Sequence, residues 1–219
     1  MFQLQKVLNA DEIQTLRSLI LDGGQLEDGA RTAGWAARPV KHNEQLARGA
    51  RLDTLRSQVR RCLDRHPMFQ PYTQARSITR ILASRYTQGM KYGQHVDDAL
   101  MAGRRSDLSF TLFLSEPDTY EGGELILDLP GETLGIKLPA GDAIIYPTGA
   151  LHQVSEVTAG ERICAVGWVR SLVRRADHRE ILFDLDQTAK GLFSQHGKSR
   201  ELDTVLKTKS NLLRLWADD

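Results

Sequence analysis

Cysteine is nearly absent. The two residues, Cys62 and Cys164, stand far apart and in no spaced pair, so a disulfide framework is not supported and reduced thiols in a cytoplasmic compartment are expected. No run of about 18 consecutive apolar residues occurs, which excludes a spanning helix. The opening Met1-Phe2-Gln3-Leu4-Gln5-Lys6 lacks a basic segment followed by a long apolar stretch, so no secretory signal is read there. Charge of one sign is missing as well: 29 Lys plus Arg stand against 28 Asp plus Glu, a formal net charge of +1. Neither nucleic acid nor a membrane surface is therefore the expected partner. The short pairs Arg60-Arg61, Arg104-Arg105 and Arg174-Arg175 read as solvated surface, and no internal repeat is visible. What remains is 219 residues, 41% of them hydrophobic, enough for one substantial core.

The texture of the chain changes twice. Near the start, Asn9 followed three positions later by Glu12 forms a variant of the capping box, and Ile13, Leu16 and Ile20 then repeat at helical spacing. The polar, glycine-bearing stretch Gly23–Asn43, with Trp35, Arg38 and Pro39, reads as a long loop with room for a short strand. Leu52, Leu55, Val59 and Cys62/Leu63 make a second helix from Glu44 to Arg65, stopped at His66-Pro67. After Pro71 the alternation is twofold. Strands are expected at Ser77–Tyr86, Leu108–Leu114, Glu124–Leu127, Leu134–Leu138, Asp142–Tyr146, Leu151–Val157 and Glu161–Val169, an antiparallel sandwich or barrel. Beyond Arg170 helical spacing returns, with stripes Ile181, Leu185, Leu192 and Leu202, Val205/Leu206, Leu212, Trp216. These helices are expected to pack on the outside of the sheet, with an oligomer interface as the alternative.

The chemistry is carried by Tyr92-Gly93-Gln94-His95-Val96-Asp97, a distant His152, and Arg162 ten residues after it. On a strand the side chains at i and i+2 point to one side. His95 and Asp97 should therefore project together, with Val96 facing away and Asp98 assigned to the surface or a supporting role. A strand of the opposite sheet that aims His152 inward would complete the set. Two imidazoles and one carboxylate on one face of a six-coordinate Fe(II) leave three positions for chemistry. His42, His66, His178 and His196 are expected on the surface, because ligation demands convergent geometry. Arg162 has the planar fork that holds a carboxylate through two parallel hydrogen bonds, with a surface pair to Glu161 or Glu156 as the competing assignment. Tyr86 is read as a group that hydrogen-bonds a cosubstrate or else packs the barrel, and Tyr92 is the weaker candidate of the same kind.

Together Arg85-Tyr86-Thr87-Gln88-Gly89-Met90-Lys91-Tyr92-Gly93-Gln94-His95-Val96-Asp97-Asp98-Ala99, Tyr120-Glu121-Gly122-Gly123-Glu124-Leu125, Pro139-Ala140-Gly141-Asp142 through Tyr146-Pro147 to His152, and Gly160-Glu161-Arg162 with Gly167-Trp168-Val169 resemble the Fe(II)- and 2-oxoglutarate-dependent dioxygenases. Within that superfamily the chain is similar to the prolyl-4-hydroxylase-like, bacterial PKHD-type hydroxylases associated with iron uptake. The resemblance implies a mainly β fold with flanking helices: a double-stranded β-helix (jelly roll) core over about residues 75–170, N-terminal helices and a C-terminal helical extension. It divides the chain into a dioxygenase domain, 1–172, and the extension, 173–219. It implies Fe(2+) on His95, Asp97 and His152, 2-oxoglutarate anchored by Arg162, and ascorbate as reductant. Where some prolyl hydroxylases carry a second, tyrosine anchor for the outer carboxylate, this chain has Phe113, which leaves the partner of Arg162 unassigned.

The expected activity is hydroxylation of an unidentified small-molecule or protein substrate by O2, with release of succinate and CO2, in a cytoplasmic setting linked to iron uptake. The main alternative is a non-catalytic iron/2-oxoglutarate sensor on the same barrel, which would bind without turnover. A cupin-like zinc or nickel enzyme and an interaction module working through the tail are the others. An apolar lining from Leu112 or Leu125 would exclude water, and the Gly23–Asn43 loop is the candidate lid or substrate contact, with an exposed linker as the alternative. Paired C-terminal amphipathic segments leave a homodimer open.

Overall fold

Between Ala75 and Ser171 the apolar-polar alternation builds antiparallel strands, and the side to which each alternate residue points fixes two different environments. The computed structural model describes residues 1–218; Asp219, the last residue of the expected extension, lies outside them. The larger sheet runs in the order Phe2–Leu4, Ala143–Pro147, Leu108–Phe113, Arg162–Ser171, Ala75–Tyr86, Glu44–Leu46, Leu26–Asp28. The smaller runs Glu132–Ile136, Leu125–Leu129, Leu151–Val154, Lys91–His95, Lys41–His42. All of these pairings are antiparallel.

On the larger sheet Ile81, Ala83, Leu108, Phe110, Leu112, Ile163 and Ala165 face helices α1 (Ala10–Leu21) and α2 (Ala50–Arg65) in one buried cluster with Leu16, Ile20, Leu55 and Val59. The intervening residues Arg80, Leu82, Ser84 and Tyr86, then Ser109 and Thr111, then Arg162, Val166 and Trp168, line a cavity. The period of two thus separates a dry core from a polar wall within the same three strands. Leu112 belongs to the dry side, and of the two lining candidates only Leu125 borders the cavity.

Helix α1 starts as its sequence dictates: Asn9 Oδ1 accepts the Glu12 N–H at 2.9 Å and Glu12 Oε2 accepts the Asn9 N–H at 3.0 Å. The second helix is shorter than expected. Glu44–Leu46 is a strand paired with Ala75–Tyr86, and the helix begins only at Ala50, after Gly49. Gly23–Asn43 is likewise more ordered than a loop. It holds the strands Leu26–Asp28 and Lys41–His42 and short 3-10 turns at Gly29–Thr32 and Arg38–Val40. These strands add to sheet edges, a tertiary pairing that local patterning does not announce.

After the short helix α3 (Phe69–Thr73), the C-terminal helices α4 (Ala176–His196) and α5 (Arg200–Trp216) form a hairpin. They pack on each other and α4 on α3, and α4 reaches the larger sheet only at its edge strand Phe2–Leu4 among the ring contacts of the described residues. Phe183 meets Phe2 and Tyr72 edge-on at 5.4 and 5.6 Å. His178 stacks on Trp216 at 4.0 Å and closes the open end. Cys62 and Cys164 are both buried and free.

Candidate metal centre and its cavity

His95 is the last residue of Lys91–His95, and its register partner is His152 on the neighbouring strand. The second histidine therefore comes from the same sheet as the first, not from the opposite one, and direct cross-strand pairing sets the rings 4.2 Å apart. Each ring is fixed by its own backbone. Gly93 O lies 2.8 Å from His95 Nδ1, and Ala150 O lies 2.9 Å from His152 Nδ1. A carbonyl oxygen only accepts, so Nδ1 carries the proton on both rings and the Nε2 lone pairs point inward. Tyr92 stacks on His95 at 3.6 Å, and Tyr146 meets His152 edge-on at 5.3 Å. Burial first, and the His152 ring next, push His95 down to about 4, so its imidazole is neutral near pH 7.

Asp97 lies two residues beyond the strand end, not on the strand, yet its carboxylate reaches the histidines. Oδ1 is 3.8 Å from His95 Nε2, and Oδ2 is 3.7 Å from His152 Nε2. One ligand atom from each residue falls within 4.8 Å of the others, and this is the only such group of three found among the described residues. Val96 is exposed between them, and so is Asp98. Asp97 is held from the larger sheet: Trp168 Nε1 donates to Oδ2 at 2.8 Å and Ser109 Oγ at 2.9 Å. Strand alternation placed Trp168 on the face of Arg162, which was the available signal for it. Ser109 sat unflagged among the apolar residues of Leu108–Phe113. Two nitrogen lone pairs and a carboxylate, converging and oriented by further hydrogen bonds, fit a divalent transition metal.

Arg162 pairs in register with Tyr86 and is 1% exposed. Its guanidinium lies 5.1 Å from the Tyr86 ring and 5.6 Å from that of Phe113. Nη1 donates to Cys164 Sγ at 3.0 Å, and Nε has no partner. Glu161 pairs instead with Arg85 and Glu156 with Lys91, so the surface assignment for Arg162 falls away. Among the described residues no carboxylate forms an ion pair with it. Gly123, at φ +64°, leaves room for the arginine stem, since a Cβ there would stand 3.0 Å from Arg162 Cδ. A buried guanidinium without a counter-ion is costly, and an anionic ligand relieves that cost. Tyr86 is buried beside it, and burial raises its phenol well above the ordinary range.

Both centres border one cavity of about 440 Å³ that runs from the exposed Trp35 to Arg162. Lys41 also lines it, 5% exposed. It escaped notice because its strand lies in a stretch that read as loop. Arg38 lies outside this cavity, in a neighbouring depression that shares Lys41 with it.

Residues 81–170 match the model of the 2OG-Fe(II) oxygenase superfamily, and residues 177–218 match that of the PKHD-type hydroxylase C-terminal domain. A PKHD-type hydroxylase of Maricaulis maris is 59% identical over 219 residues, covering 100% of both chains. The crystal structure of a Pseudomonas putida prolyl-4-hydroxylase superposes with TM-score 0.54 at 19% identity, over 78% of this chain and 91% of that one. The non-heme alpha ketoglutarate dependent epimerase SnoN from nogalamycin biosynthesis reaches 0.55 at 14% identity, over 78% and 77%. A hydroxylase and an epimerase on one architecture show the fold alone.

Proposed function

This chain belongs to the PKHD-type hydroxylases of the 2OG-Fe(II) oxygenase superfamily, and from that premise we propose that His95, Asp97 and His152 hold its Fe(II) while Arg162, beside Tyr86, seats the outer carboxylate of 2-oxoglutarate. The observation that carries the reading is Arg162, a fully buried guanidinium without an acidic partner on the same cavity as a convergent His-Asp-His set. When bound, the metal supplies the oxygen chemistry by which 2-oxoglutarate and O2 become succinate and CO2 while a C–H bond of the substrate is hydroxylated.

The protein's own residues do the rest. The backbone carbonyls of Gly93 and Ala150 set the histidine tautomers. Trp168 and Ser109 fix Asp97, so the ligand set is in place before a metal arrives. Arg162 sets the direction in which a diacid lies, and Tyr86 and Phe113 keep water from its guanidinium. The substrate is unidentified. An iron-uptake role and ascorbate as reductant complete the proposal, and omission of ascorbate from turnover assays tests the latter.

The test is anaerobic addition of Fe(II) and 2-oxoglutarate, followed by aerobic turnover. A visible absorption band should form, weaken strongly in Arg162→Ala and vanish in His152→Ala, and wild type should release succinate. Binding with no succinate, against extract fractions as well, would convert the reading to a sensor.

A further inference from the structure

Lys41 carries a charge where charge is costly. Its two-residue strand pairs with Lys91–His95, Lys41 opposite Tyr92, and this turns the side chain into the cavity. Nζ donates a single hydrogen bond, to Thr32 Oγ1 at 3.0 Å, and stands 4.8 Å over the Tyr92 ring. Thr32 is bonded in turn to Gln45 at 2.8 Å, and Gln45 Nε2 donates to Ser84 Oγ at 3.4 Å. This belt of neutral groups holds the lysine in place without neutralising it. No carboxylate comes within ion-pair distance of Nζ among the described residues. Burial pulls the ammonium down to about 8, the expected direction for a cation without a partner. The nearby carboxylate of Asp97 is committed to the metal set. Arg80 of the larger sheet lines the same cavity, is half-buried and also forms no ion pair among the described residues.

The cavity therefore holds two separate cationic stations. Arg162 sits against Tyr86 and Phe113. Lys41 sits against Tyr92, the ring that stacks on His95. One dicarboxylic cosubstrate uses the first station, and the second has no assigned anion. We propose that Lys41, assisted by Arg80, is the recognition site for an anionic group on the primary substrate, so that the molecule hydroxylated is a carboxylic acid whose acid group docks beside Tyr92. This rests on the reading of Arg162 as the seat of 2-oxoglutarate. A volume of about 440 Å³ is in the range of small-molecule sites, and it must hold both molecules, so the acid is small or enters by one end.

The experiment uses full-length protein loaded anaerobically with Fe(II) and 2-oxoglutarate. The probes are N-acetyl amino acids, each run beside its primary amide, with dissociation constants from calorimetry and the shift in Tm as readouts. Acids but not amides should bind wild type and Lys41→Arg. Lys41→Met, which keeps the aliphatic stem, should weaken acid binding about ten- to hundredfold, the value of one charge-assisted hydrogen bond. Arg80→Gln should weaken it less. Affinity for 2-oxoglutarate should not change in Lys41→Met, which also shows that the variant is folded. The proposal is overturned if amides bind as well as acids, if no acid binds, if Lys41→Met keeps the acid preference, or if it loses 2-oxoglutarate as well. Failure of 2-oxoglutarate to bind wild type would instead remove the Arg162 reading, and this proposal with it.

Discussion

Asp97 Oδ2 accepts from both an indole and a hydroxyl, so one carboxylate oxygen is oriented by the larger sheet while Oδ1 stands 3.8 Å from His95 Nε2. Trp168→Phe keeps an aromatic ring at this buried position but removes the N–H together with one ring of the indole. It should lower Fe(II) affinity about 10- to 100-fold, read by metal titration of the apoprotein, with a modest fall in Tm from the void left by the smaller ring. Equal affinity in the variant would make the indole contact incidental. The His-X-Asp unit was legible because two residues on one strand face share a direction, although here Asp97 achieves the same reach from the following turn. Lys41 was not legible, since its burial depends on pairing with Tyr92, a strand partner far away in the sequence.

At the scale of elements, the strands Leu108–Phe113 and Arg162–Ser171 approach each other closely at a glycine. A Cβ on Gly167 would stand 2.5 Å from the Phe110 ring and 2.8 Å from Arg80 O. The ring can yield only into a packed core, and the carbonyl belongs to a ladder. Gly167→Ala should therefore cost about 1–3 kcal/mol, measured by chemical denaturation. A neutral result would mean that the sheet spreads more easily than its packing implies.

The junction of α1 with α2 makes a prediction of a different kind. Arg65, hydrogen-bonded to Glu12, holds that carboxyl at about 2 against an ordinary 4.5. A depressed folded value means the pair stabilises fully above pH 4.5 and is lost as pH falls towards 2. Glu12→Gln should lower Tm near neutrality and flatten its fall across that window. An acid limb as steep as that of wild type would show that other carboxylates dominate it. The capping box itself was readable from Asn9 and Glu12, being local. The Arg65 contact joins two helices through the fold and was not.

Across the whole molecule the alternating strands gave the sandwich in advance, because a half-buried strand must alternate. The short edge strands at Leu26–Asp28 and Lys41–His42 did not, because so few residues carry no period. The tail helices were legible as helices, but not their neighbours, since an amphipathic stripe does not say what covers it. Phe183 bridges that tail to Phe2 and Tyr72. Phe183→Ala should cost about 1.5 kcal/mol, the lower end for a half-buried ring, with the loss read in Tm. No loss would mean that the hairpin hangs free of the sandwich.

His95 and His152 rise from the smaller layer, whereas the groups that grip Asp97 belong to the larger one. A cation seated among the three is thus a rivet through both layers, and filling that seat and keeping the layers closed become one equilibrium. Amide hydrogens in Lys91–His95 and in Leu108–Phe113 should slow in concert when Fe(II) is supplied to apoprotein, and Trp168→Phe should let the two layers exchange on separate clocks.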